Sequence, residues 1–110
     1  MTIKYQIIHW RDIPVKVRLR VGRTRTVYAL SDRFQKTVYR AAYRAKAING
    51  DAYAEGWRTS GWSESLPKQG EEPAQVATGI VATLEAEYND DRLDRLARNK
   101  GYEPAVDANA

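Results

Sequence analysis

The run from Val15 to Val21 alternates apolar and cationic residues without a break. Successive side chains on a β-strand point to opposite faces, so the run predicts a strand with one apolar and one cationic face. The apolar face carries Val15, Val17, Leu19 and Val21, and the cationic face carries Lys16, Arg18 and Arg20. Such a strand requires a core on one side and water or an anion on the other.

Three further stretches are predicted to be strands that join this one in a mainly antiparallel sheet. They are rich in β-branched, aromatic or small residues and lie at residues 3–10, 27–30 and 54–63. A turn at residues 11–14 would pair the first of them with the strand at 15–21. Residues 22–30 leave two alternatives, a hairpin with its loop at 22–26 or a link to the next helix, and the hairpin is favoured.

Three helices are predicted from their start and stop residues. The first begins after Ser31 and runs to about Ile48, where Asn49 and Gly50 supply a stop. Its buried stripe comprises Phe34, Val38, Ala41, Ala45 and Ile48, with Tyr39 and Tyr43 nearly opposite. The second helix starts at Glu71-Glu72-Pro73 and reaches about residue 88, and a short third helix covers residues 90–98 with Gly101 as its stop.

These elements predict an α+β domain. Its small, mainly antiparallel sheet has three to four strands, and two main helices and a short C-terminal helix pack on one face. A chain of 110 residues is expected to form one domain, here residues 1–101, with residues 102–110 as a frayed tail.

Composition excludes several kinds of site. The chain has no Cys and one His, so disulfides, thiolate metal sites and a cysteine nucleophile are absent, and no metal or cofactor is expected. It contains no apolar run of about 20 residues that could span a bilayer. The N-terminus reads directly into a strand without a signal-peptide pattern, so we expect a cytoplasmic protein with no membrane partner.

Charge is distributed unevenly along the sequence. Residues 1–50 hold 12 Lys and Arg against two acidic residues, whereas residues 51–110 hold six Lys and Arg against 12 acidic residues. The imbalance can attract an anionic partner, or it can be neutralised internally by an acidic helix beside a basic one. The pattern favours neither alternative.

The sequence contains no motif that identifies a reaction, such as GxSxG, a Walker loop or GxGxxG. The acidic pairs stand where helices begin, which is explained by the helix dipole. The lone His9 is read as a hydrogen-bonded structural residue in preference to a catalytic base or pH switch. An independent enzyme is therefore not favoured, although the question stays open.

A binding surface is the remaining kind of site that the residues indicate. Arginine forks bind phosphates and carboxylates, and tyrosine is enriched at contacts. The candidate binding residues are Lys16, Arg18, Arg20, Arg23 and Arg25 on and beside the basic strand, and Tyr39, Arg40, Tyr43 and Arg44 on the first helix. Trp10, Trp57 or Trp62 could add stacking. The alternative is an outer sheet face that is only solvated.

The run from Ile7 to Pro14, Ile-Ile-His-Trp-Arg-Asp-Ile-Pro, resembles a small bacterial family labelled virulence factor. Arg23-Thr24-Arg25, Ser31 with Arg33-Phe34-Gln35, Asp51-Ala52-Tyr53 and Trp57 continue the resemblance, which covers about residues 3–88. It implies an accessory protein, loosely associated with corrinoid and one-carbon methyl-transfer genes, and it brings no catalytic residues. It adds secondary site candidates that would cluster with Pro14 at one end of the first two strands: His9, Trp10, Arg11 and Asp12. Trp57 is a further secondary candidate.

Three hypotheses follow. The first is a non-catalytic cytoplasmic accessory domain that binds a protein partner, or another anionic ligand, through the basic strand face and the Arg/Tyr helix surface. The second is nucleic-acid binding through the same strand face. The third is an enzyme, or an auxiliary subunit in corrinoid or one-carbon metabolism, centred on His9 and Arg11. A homodimer is a further alternative.

Overall fold

The computed structural model describes residues 2–104, and nine elements follow one another in this part of the chain. They are β1 (Ile3–Trp10), β2 (Ile13–Val21), β3 (Thr24–Ala29), α1 (Asp32–Arg44), α2 (Gly50–Glu55), β4 (Trp57–Thr59), β5 (Ser63–Ser65), α3 (Pro73–Glu87) and α4 (Asp90–Arg98). The α+β prediction is confirmed, and the sheet has five strands, all of whose pairings are antiparallel.

Strands β1 and β2 form the centre of the sheet. Its order is β3-β2-β1-β4, and β5 pairs with β1 beside β4. The hairpin reading of residues 22–30 is correct, since β3 pairs with β2 along its whole length and the turn is only Gly22-Arg23. Gly22 has a φ of 60°, a conformation that glycine adopts at little cost in such a turn.

One face of this sheet, the inner face, meets the helices. The apolar residues of β2 from Ile13 to Leu19 are at most 4% exposed, and Val21 is partly buried. Helices α1 and α3 pack against β2, while α4 packs against α1. This burial is the expected fate of an alternating strand, because one full set of its side chains turns to the core. The core includes Ile3, Ile13, Val15, Val17, Leu19, Phe34, Val38, Ala41, Val76, Ala77, Leu84, Leu93 and Leu96.

The first helix ends earlier than predicted. The amide of Ala47 donates to Ala42 O and that of Lys46 to Tyr43 O, and Lys46 has a φ of 56°. This is a Schellman ending with lysine in the left-handed position where glycine is usual. The sequence signal at Asn49 and Gly50 therefore marks the start of α2, and Ile48 is 42% exposed instead of buried.

The single strand predicted across residues 54–63 is wrong. The segment instead contains the end of α2 and then β4, and a further short strand, β5, follows at Ser63–Ser65. Both strands pair with β1, β4 near its end and β5 near its start. Ser60 bridges the interval, because its amide donates to Ile7 O and its hydroxyl accepts from the Ile7 amide.

Helices α3 and α4 begin where the sequence places them. The Glu72 amide donates to Gln75 Oε1 ahead of Pro73, and Asn89 Oδ1 accepts from the Arg92 amide. Gly101, with a φ of 92°, follows the end of α4. Of the predicted tail, Tyr102 and Glu103 make contacts described below, and residues 105–110 lie outside the described residues.

Candidate functional site

The face of the sheet opposite the helices, the outer face, carries the cationic side chains of β2. Cross-strand partners share a face, so the register also assigns residues of β1 and β3 to it. Three rows cross the sheet in the order β1, β2, β3: Lys4–Arg20–Arg25, Gln6–Arg18–Val27 and Ile8–Lys16–Ala29. The sequence analysis missed Lys4 and Gln6, although Lys4-Tyr5-Gln6-Ile7 alternates polar and apolar residues in the same way.

Trp62 lies over the outer face from the far side of β1. Its ring centroid is 5.4 Å from Cζ of Arg20 and 5.7 Å from Cζ of Arg25. In the next row, Arg18 Nη1 donates to Gln6 Oε1 over 3.2 Å. These contacts hold three arginines beside neutral partners, which orient the guanidinium groups without cancelling their charge.

The outer-face cations and Arg23 in the adjacent turn make no ion pair within residues 2–104. This set comprises Lys4, Lys16, Arg18, Arg20, Arg23 and Arg25. The one acidic residue in register with them is Glu64, the partner of Lys4 on β5. Their positive charge is therefore available to an anion that approaches the face.

Two of the four cations of α1 have a different role. Arg33 Nη2 lies 2.9 Å from Glu85 Oε1, and Arg40 Nη2 lies 2.7 Å from Asp94 Oδ1. The basic α1 thus packs beside acidic residues of α4 and of the C-terminal end of α3. Internal neutralisation therefore accounts for this part of the charge imbalance, but it does not neutralise the cations of the outer face.

The four candidate residues of α1 lie together. They line an open groove of about 540 Å³, whose lining comprises Tyr39, Arg40, Tyr43, Arg44, Ile48 and Ala97. Tyr39 is 51% and Tyr43 is 74% exposed. Arg40 is paired with Asp94, whereas the exposed Arg44 makes no ion pair within residues 2–104, so the groove offers apolar surface beside one unpaired positive charge.

The secondary candidates at the turn between β1 and β2 do come together, and they form a packed junction. The fully buried Trp10 donates from Nε1 to Tyr53 O over 2.9 Å, and its ring stacks on Tyr53, which in turn meets Trp57 edge-on. The Arg11 guanidinium lies between the rings of Trp10 and Tyr102, 4.8 Å from each centroid.

Backbone bonds close the same junction. The amide of Arg11, whose φ is 53°, donates to Gly56 O, and the amide of Asp12 donates to Gly101 O. Asp12 Oδ1 accepts from Arg58 Nη2 at 2.9 Å, and Asp12 Oδ2 accepts from the Glu103 amide at 2.8 Å. With their polar groups bonded in this way, Arg11 and Asp12 hold the two ends of the domain together.

His9 lies beside this junction, in register with Pro14 and Arg58. Burial lowers the pKa of His9, and the positive charge of Arg58 lowers it further, which favours the neutral ring. Its buried Nδ1 finds no hydrogen-bond partner among residues 2–104, unlike the structural histidine predicted from the sequence.

Two kinds of site are not found in the part of the chain that the structure describes. No group of three or more His, Asp or Glu side chains is arranged to hold a metal ion. Among the same residues, no helix has the length and apolar character needed to cross a membrane.

Comparison with known proteins identifies a family. The sequence model of a family described as virulence factor matches residues 8–97. The match includes the Trp10–Asp12 junction, β2, β3 and all four helices except the last residue of α4. No curated protein and no solved structure matches the chain.

Proposed function

The chain belongs to the virulence factor family, and on that premise we propose that it is a non-catalytic, cytoplasmic accessory domain whose outer face binds an acidic surface of a protein partner. The observation that carries the proposal is the contrast between two sets of arginines. Arg33 and Arg40 of α1 are paired with carboxylates. By contrast, Arg18 is hydrogen-bonded to Gln6, and Arg20 and Arg25 lie against Trp62.

The arrangement suits carboxylates for a geometric reason. Arg20 and Arg25 are direct neighbours across β2 and β3, and Lys4 extends the row onto β1. Neighbouring strands are about 4.8 Å apart, so the positive groups of the row are about as far apart as neighbouring side chains on the surface of a partner protein. Arginine forks can bind carboxylates bidentately, which adds orientation to the attraction.

An acidic protein is favoured over single-stranded nucleic acid. Sequence-tolerant binding of single strands relies on aromatic platforms on which bases stack. The aromatic side chain over the outer face is Trp62, and two guanidinium groups already contact it. Trp10 and Trp57 pack with Tyr53 and do not offer such a platform.

The test compares two variants with equal net charge. Arg18→Glu/Arg20→Glu reverses charge on the outer face, and Lys68→Glu/Arg95→Glu reverses the same amount at exposed sites elsewhere. Binding of poly-L-glutamate, measured by calorimetry at about 50 mM salt, is expected to be lost in the first variant and kept in the second. Equal loss in both would reduce the interaction to net charge and contradict the proposal.

A single-stranded oligonucleotide serves as the competing probe. If it binds the outer face more tightly than poly-L-glutamate at every salt concentration, the partner is a nucleic acid and the protein-binding proposal fails. The double variant Tyr39→Ala/Tyr43→Ala shows whether the groove on α1 contributes to the same complex.

A further inference from the structure

The strand β3 forms one end of the sheet and has a free edge. Within residues 2–104 it pairs only with β2, and the residues from Thr24 to Val27 are exposed together with Ala29. An edge strand presents unpaired N–H and C=O groups in a row, which is the template that an added strand uses.

The register shows which backbone groups face that edge. Antiparallel pairs alternate between hydrogen-bonded and non-hydrogen-bonded, and the pair that closes a two-residue turn, Val21–Thr24, is hydrogen-bonded. At the other end of the strand, the Leu30 amide donates to Val15 O over 2.9 Å. The Val15–Leu30 pair is therefore also of the hydrogen-bonded type, as the alternation requires. Arg25, Val27 and Ala29 therefore direct their N–H and C=O groups away from β2.

The same three residues place their side chains on the outer face. Arg25 stands next to Arg20, and Arg23 lies in the turn beside them. A strand added to this edge would continue the sheet, with every second side chain beside these arginines. A second copy of β3 that paired antiparallel about Arg25, or parallel and in register, would bring Arg25 beside its own counterpart, and like charges in neighbouring positions oppose those registers.

We infer that an extended acidic segment of the protein partner pairs with the free edge of β3, with acidic side chains at alternate positions on the outer face. The inference rests on the proposed function and specifies the conformation in which the partner binds. Backbone hydrogen bonds to Arg25, Val27 and Ala29 give the pairing, and the guanidinium groups of Arg20 and Arg25 select acidic residues.

Amide hydrogen exchange tests the inference directly. The probe is a synthetic peptide of about six residues, a common strand length, in which Glu and Thr alternate. On binding, the amides of Arg25, Val27 and Ala29 are expected to exchange at least about tenfold more slowly, whereas those of Thr24 and Thr26 already bond to β2. Unchanged exchange at the three amides, with the peptide bound, would overturn edge pairing and leave the proposed function intact.

A matched pair of variants provides the second measurement. Val27→Pro removes an amide that faces the free edge and leaves the bonds to β2 in place, and Val27→Thr retains the amide and the branched shape. Val27→Pro is expected to weaken peptide binding about tenfold relative to Val27→Thr, with similar melting temperatures. If Val27→Pro does not fold, hydrogen exchange in the natural protein decides the question.

The remaining outcomes separate the two proposals. Equal affinity of a folded Val27→Pro and Val27→Thr overturns edge pairing alone. If the natural protein binds neither this peptide nor poly-L-glutamate, the proposed function fails and edge pairing fails with it. Protection of the three amides without peptide, together with dimerisation, would assign the edge to a second copy of the chain and overturn the acidic partner.

Discussion

Arg20 and Arg25 stand directly opposite each other on β2 and β3, and both guanidinium groups lie against the ring of Trp62. Like charges in opposite positions on a sheet destabilise it, and the electron-rich face of the indole offsets part of that cost. Lys4 follows Arg20 in the same row. The outer face therefore carries an electrostatic strain that a bound anion would relieve.

This strain predicts a salt-dependent effect of Arg25→Gln. At about 10 mM salt the Debye length is roughly 30 Å, and at about 1 M it is roughly 3 Å, so added salt removes the repulsion. The free energy of unfolding of the variant, relative to the natural protein, is expected to be higher at low salt by several tenths of a kcal/mol. Unfolding in urea, which is uncharged, measures the difference.

Arg95→Gln is the control for that experiment, because Arg95 is exposed at the far end of α4 and makes no ion pair within the described residues. Its effect on unfolding should change less with salt. If the two variants respond to salt alike, the effect arises from net charge and the cationic row is not strained.

The close packing of Trp10 predicts opposite effects of two glycine substitutions. A Cβ atom on Gly56 would lie 2.6 Å from Cε2 of Trp10, whereas a Cβ on Gly79 in α3 meets nothing within 4 Å. We expect Gly56→Ala to lower the free energy of unfolding by about 1–3 kcal/mol through overpacking. Gly79→Ala should raise it by about 0.5–1 kcal/mol, because alanine favours a helix. Denaturant unfolding of both variants gives the comparison, and a neutral Gly56→Ala would contradict it.

The link between α1 and α3 predicts a destabilising effect of Glu85→Gln. Burial opposes ionisation of Glu85, but hydrogen bonds from Ser31 and Arg33 outweigh it and hold the pKa of Glu85 below its ordinary value. The substitution removes a charge-assisted network that is partly open to solvent, so the expected loss is about 1–2 kcal/mol near pH 7.

The pH dependence of that loss provides its own check. A depressed carboxyl pKa contributes stability above the unfolded value of about 4.5, and this contribution disappears as the pH falls through the folded pKa. The natural protein and Glu85→Gln should therefore converge in acid. Glu87→Gln, at an exposed position on the same helix, is the control and should change the free energy of unfolding little near pH 7.

Protonation of His9 predicts a second loss of stability at a higher pH. Burial and Arg58 lower the pKa of His9 in the folded chain, and the Ile7 backbone and Asp12 oppose them only in part. Above the ordinary value of 6.5 the ring is neutral in both folded and unfolded chains, so it contributes no pH dependence. As the pH falls from about 6.5 through the lower folded value, the unfolded chain takes up the proton first and stability declines.

His9→Phe should remove this decline, because the variant has no imidazole to protonate. Its free energy of unfolding is expected to vary less than that of the natural protein between about pH 7 and pH 5. Urea unfolding at fixed ionic strength measures both curves. Parallel curves would show that His9 ionises equally easily in the folded and unfolded chains.

The sequence alone predicts the parts of the fold that depend on local pattern. The alternation of Val15 to Val21 defines the inner and outer faces, and Pro73 and Asn89 mark two helix starts at the positions observed. These signals act over a few residues, so they survive without knowledge of the rest of the chain.

The errors arise where tertiary contacts decide. Helix α1 ends early because Lys46 adopts the left-handed conformation. Glycine is the usual sequence signal for that conformation, and it is missing at this position. Residues 54–63 are divided by their pairing with two ends of β1, and no local pattern records that division. The neighbours of Arg20 likewise depend on register, so Lys4 was missed although the basic strand was recognised.

The bonds from the turn between β1 and β2 to Lys100 and Gly101 also affect the order in which the protein can be completed. Arg11 and the oxygen that accepts from its side chain are 89 residues apart in the chain. During synthesis on the ribosome, the hairpin of β1 and β2 is made early. The hydrogen-bond donors of its turn, however, lack their acceptors on Lys100 and Gly101 until almost the whole domain has emerged. Shortened chains that stop before Lys100 would therefore lack Gly101 and Tyr102, and would leave Trp10 and Arg11 without the C-terminal residues that cover them.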